Sequence, residues 1–169
     1  AGAFVAVPHP NWYTLAIEDF ESLGGVHAVE CYNGTADRYN DRGYSWHYID
    51  MLNAMGYRIS ALAVDDTHME PGRGDFMRGW VYVKAQSLDP DALLTALKAG
   101  HYYSSTGAQL HHVEVIAGDK VRVECSPAEA ILVNSDHAWT VRVDGHGLTS
   151  AELDISKWKS PRYCRITVI

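Results

Sequence analysis

Residues 59–69 read ISALAVDDTHM: an apolar run from Ile59 to Val64 stops abruptly at Asp65 and Asp66, and His68 follows one residue later. A short apolar run bounded by polar residues is the pattern of a buried strand. Alternate residues at a strand end point the same way, so Asp66 and His68 can reach one ion. The polar end of this strand is therefore the first candidate for chemistry in the chain.

Outward from it, the same rhythm repeats. Residues 4–10, FVAVPHP, read as a short strand closed by two prolines around His9. Trp12, Leu15, Ala16, Phe20 and Leu23 then recur at helical spacing up to the stop signal Gly24-Gly25. Residues 26–34, VHAVECYNG, form a second apolar run ending in the turn signal Asn33-Gly34. A helix with Trp46, Ile49, Leu52 and Asn53 on one face is expected to close at Gly56. After the strand at 59–66 and a loop come the strand WVYVKA and a helix, with Asp89 as N-cap, Pro90 in the first turn and Gly100 as stop. Strand and helix alternating in this way predict a parallel sheet or an α/β barrel.

Beyond about Tyr103 the helical period disappears. Residues 111–127 are two alternating segments joined at Gly118-Asp119, a predicted β-hairpin, and the short strands AEAILVNS, AWTVRVDG and YCRITVI follow. The expected organisation is an α/β part at 1–107 and an antiparallel β-rich region at 108–169.

Composition narrows the function. The chain has 169 residues, 47% hydrophobic and 21% charged, with a formal net charge of −7. A broad nucleic-acid surface is not expected, because phosphate neutralisation needs clustered Lys and Arg. No leader peptide and no bilayer-spanning run is expected either. Cys31, Cys125 and Cys164 are odd in number and never spaced CxxC, which fits a reducing, cytoplasmic setting.

Three polar groups are expected to end three successive strands: His9, Glu30, and the pair Asp66 and His68. In a parallel sheet these ends share the carboxyl edge, where ligands bind. Imidazole and carboxylate gathered there suit Zn, Mn or Fe. The bland readings are a turn histidine for His9, a capping carboxylate for Glu30 and a chance DxH. Arg73 and Arg78, in the loop after the DxH, are candidates to clamp a substrate phosphate or carboxylate, or are solvated loop cations. Residues 134–137, NSDH, read as turn chemistry.

The order FVAVPHPNW, VHAVECYNG, WHYIDMLNAMGYR and ALAVDDTH resembles the later half of the PHP (polymerase and histidinol phosphatase) family of metal-dependent phosphoesterases. The continuation GWVYVKA and DALLTALKAGHYYSSTG is similar to its CehA/McbA-like metallohydrolase branch, so the resemblance covers residues 4–107. It implies the later half of a distorted (β/α)7 barrel. It also implies His9, Asp66 and His68 as metal ligands, with Asp66 and His68 the catalytic pair. Glu30 and Asn33 of the E-x-Y-N segment fall on the substrate side, and Ser105-Thr106-Gly107 at the pocket mouth or a turn. Two or three divalent ions (Mn, Zn or Fe) would activate a water for attack on a small phosphorylated or ester substrate.

The family's early HxH has no counterpart before His9. The chain is then expected to be the later portion of such a domain, to be completed by a missing N-terminal segment or a homo-oligomeric partner, or to be degenerate. The competing reading is a non-catalytic ligand- or partner-binding module.

Overall fold

The apolar runs before the candidate site pair with one another. In the computed structural model, which describes residues 2–169, strands β1 (Ala6–Val7), β2 (Ala28–Asn33) and β3 (Ser60–Val64) form a parallel sheet in that order. β2 is the middle strand and is buried at every position, as expected of a strand flanked on both sides. A register shift between Glu30 and Tyr32 bends it against β3.

The helices are shorter than the periodicity predicts. Thr14, in the left-handed region at φ 52°, splits the expected first helix into α1 (Pro10–Tyr13) and α2 (Glu18–Glu21). Asn33 and Gly34, expected as a plain turn, instead start α3 (Gly34–Asn40), with the Asn33 side chain accepting from the Ala36 amide at 2.8 Å. Helix α4 (Trp46–Ala54) buries Tyr48, Ile49 and Leu52 against Val29, Cys31 and Phe20 to make the core of this part.

The expected barrel is overturned. The described residues are 38% strand and 19% helix, the five helices are short, and the sheets are open. Parallel pairing stops at β3. Strand β4 (Trp80–Val83) pairs antiparallel with β5 (Tyr102–Ser105), although α5 (Pro90–Lys98) lies between them in the chain. The Ser104 hydroxyl donates to the Ala61 carbonyl at 2.9 Å and accepts from the Ala63 amide at 2.8 Å, so a side chain occupies the outer edge of β3. Periodicity reports what kind of element a segment forms and says nothing of the direction in which it pairs. Strand–helix–strand order predicted a parallel neighbour here and met an antiparallel one.

The chain divides into two units, Ala1–Gly107 and Ala108–Ile169. In the second, β6 (Leu110–Ile116), β7 (Lys120–Asn134) and β8 (Thr140–Asp154) form an antiparallel sheet in that order. β9 (Arg165–Val168) pairs with the last residues of β7, on the side where β6 pairs with its first. Val121, Val123, Ile131, Val133 and Leu153, all nearly inaccessible, form its core. The NSDH segment is the β7–β8 turn, where buried Asp136 accepts from Ser135 and from the Arg162 amide.

Candidate functional site

Because β1, β2 and β3 run parallel, their carboxyl ends lie along one edge. His9 follows β1, Asn33 ends β2, and Asp65 and Asp66 follow β3. Glu30 is the exception to the sequence expectation, since it sits inside β2, opposite Leu62, rather than at its end. His9 and Asp66 are both in the left-handed region, at φ 51°. Non-glycine residues there are uncommon and are held by their surroundings.

Asn33 joins two of the acids. Its Nδ2 donates to Glu30 Oε2 at 2.9 Å and to Asp66 Oδ2 at 3.2 Å, so one amide group draws two carboxylates together. Glu30 is buried, and burial pushes its carboxyl from the ordinary 4.5 up to about 7. The Asn33 bond opposes that shift and the Asp66 charge adds to it. Thr35 fixes the other end of Asp66: its hydroxyl lies 2.7 Å from the Asp66 carbonyl, and its amide donates to the Asp65 carbonyl at 3.0 Å.

His68 belongs to a neighbouring knot. Its Nδ1 lies 3.7 Å from Asp75 Oδ2, and its amide donates to the same oxygen at 3.3 Å. Asp75 also accepts from Thr67 at 2.9 Å and lies 3.1 Å from the Thr35 hydroxyl. Burial works against its charge, yet the bonds from Thr67, the His68 amide and Thr35 prevail and hold the carboxyl below its usual range. Arg73, a proposed clamp, has its Nε 2.8 Å from Asp75. It also pairs with Glu70 at 2.9 Å and lies over the Tyr39 ring.

Arg78 is committed as well. It pairs with Asp37 at 2.9 Å and reaches the Tyr32 hydroxyl at 3.4 Å. Tyr32, Asp37, Arg78, Tyr44, Met77 and Thr106 line an open cleft of about 360 Å³. The loop carrying Arg78 is held by Asp65, which accepts from the amides of Met77 (2.7 Å), Arg78 (2.6 Å) and Gly79 (2.8 Å). Gly79 has to be glycine, since a Cβ would fall 2.7 Å from the Tyr32 ring.

The structure thus links Glu30, Asn33 and Asp66, places His68 on Asp75, and engages both arginines with carboxylates. The sequence reading missed Asp75 and Thr35. The only signal for Asp75 was an acid between two arginines, at Arg73 and Arg78, in a glycine-rich loop.

The donors suit a divalent cation in kind. Two carboxylates share one amide. At the same sheet edge, the buried His9 Nδ1 has no hydrogen-bond partner among the described residues. Among those residues, no three His, Cys, Asp or Glu side chains already converge on one point.

No family model, curated protein or solved structure matches the chain. No helix among the described residues is long and apolar enough to cross a membrane.

Proposed function

We propose that the first unit carries part of the metal site of a PHP-type hydrolase, a phosphoesterase that acts through a metal-activated water. The carrying observation is the Glu30–Asn33–Asp66 network at the carboxyl edge of the parallel sheet. Glu30, Asp66 and the His9 imidazole would hold the cation, and Asn33 orients the two acids. His68 borders the site through its bond to Asp75. A bound divalent ion lowers the pKa of its water and neutralises developing charge on phosphoryl oxygens. With Arg73 and Arg78 already paired, that neutralisation falls to the ion rather than to a free guanidinium. A cytoplasmic setting accompanies this reading, supported by three cysteines that are odd in number and never spaced CxxC.

Titration with Mn²⁺ followed by calorimetry tests the proposal, alongside turnover of a generic aryl phosphodiester. Wild type is expected to bind the ion, and Asp66→Asn to lose binding with its fold intact by circular dichroism. Equal affinity in the two proteins would remove this site from the function.

The second reading is a ligand- or partner-binding module. It is favoured by the β-rich second unit, which a minimal phosphoesterase does not need. It predicts no bound metal and no turnover.

A further inference from the structure

Strand β6 carries an apolar stripe that its own unit leaves in solvent. Across an antiparallel pair, opposed residues share a face. Val113 lies opposite Val123 and Val115 opposite Val121, which puts both on the core face of the sheet. Yet Val121 and Val123 are 1% and 0% exposed, whereas Val113 and Val115 are 41% and 62% exposed. β6 also ends the β6-β7-β8 order, so it is an edge strand. An edge strand with exposed valines is a template for pairing with another chain.

We propose that β6 is a homodimer interface, in which two copies of the chain pair their β6 strands antiparallel about a two-fold axis through Val113. The symmetry fixes the register. A two-fold axis normal to the sheet keeps both core faces on the same side only if it passes through a residue rather than between two. An axis through His112 would set imidazole against imidazole. One through Glu114 would set carboxylate against carboxylate, which is destabilising. An axis through Val113, unlike one through Val115, sets His112 of each copy across from Glu114 of the other, with Val113 across from itself.

The opposite face of the sheet is a solvated ion-pair ladder. Arg122 pairs with Glu114 and Glu152, and His112 lies 3.8 Å from Glu114. The added pairing extends this ladder across the dimer while covering Val113 and Val115. An isologous contact of this kind closes on itself and leaves no β6 edge for further growth.

Cysteine cross-linking reads the register directly. In a Cys164→Ser background, Val113→Cys is expected to give a covalent dimer on mild oxidation, because the two-fold places its sulfurs face to face at disulfide distance. His111→Cys, at the bulge of β6, is expected to give none. Light scattering across a dilution series should show a reversible dimer that Val115→Lys converts to monomer with unchanged circular dichroism. A chain that stays monomeric at every concentration, or equal cross-linking at 111 and 113, would overturn the proposal.

Discussion

The first unit buries Glu30, Asn33, Thr35, Ser45, Asp75 and Ser105, whereas the second buries Ser135 and Asp136 in one turn and is otherwise closed by aliphatic side chains. Burying polar groups costs stability unless each finds a partner, so a fold tends to keep them where they serve another purpose. The second unit has the economy of a structural sheet. The first carries a polar network along one sheet edge, beyond what its own core needs.

Three experiments would break or sharpen that contrast. The largest effect is expected in the aliphatic core: Ile131, fully buried, should lose about 2–5 kcal/mol on Ile131→Ala. Urea denaturation checks it, and a loss below that range would mean that the second unit is not held by packing.

Glu30 comes next. Its carboxyl titrates at about 7 in the fold against an ordinary 4.5, so between those values the folded chain keeps a proton that the unfolded chain has released. This contribution to stability is full below pH 4.5 and is lost as pH rises through 7, a change of roughly 3 kcal/mol. Glu30→Gln keeps the acceptor for Asn33 and removes the titration. In metal-free buffer the variant should be more stable than wild type at neutral pH and lack this pH-dependent fall. Parallel stability–pH curves for the two proteins would contradict the burial of a charge at this position.

The smallest effect is expected at Asp65. Asp65→Ala leaves the amides of Met77, Arg78 and Gly79 without their acceptor and should cost about 2 kcal/mol. Hydrogen exchange at those three amides should accelerate, while that of β2 stays slow.

Much of the local structure was legible in the sequence. The apolar runs at β2 and β3, the capped helix after Asp89 and the hairpin at Gly118-Asp119 each carry short-range signals that do not depend on the rest of the fold. What could not be read were long-range relations. The direction of β5 depends on how the chain returns after α5, and no residue of β5 encodes it. The barrel expectation failed at that point.

The same limit applied at the candidate site. Asp66 stood out because it ends a strand, but its partners come from 31 and 33 residues earlier in the chain. Asp65 looked like the idle neighbour of Asp66, and its three amide contacts appear only once residues 77–79 fold back on it. Glu30 was expected at the end of its strand and lies inside it, opposite Leu62.

The Ser104 hydroxyl on the outer side of β3 gives the parallel sheet a direction of growth. With the Ala61 carbonyl and Ala63 amide occupied by one side chain, a fourth strand cannot join there without expelling that hydroxyl and the strand that carries it. Any additional strand, from this chain or from another, must enter beside β1, next to the residues that lead into His9. The sheet is sealed on one flank and can be extended only from the other.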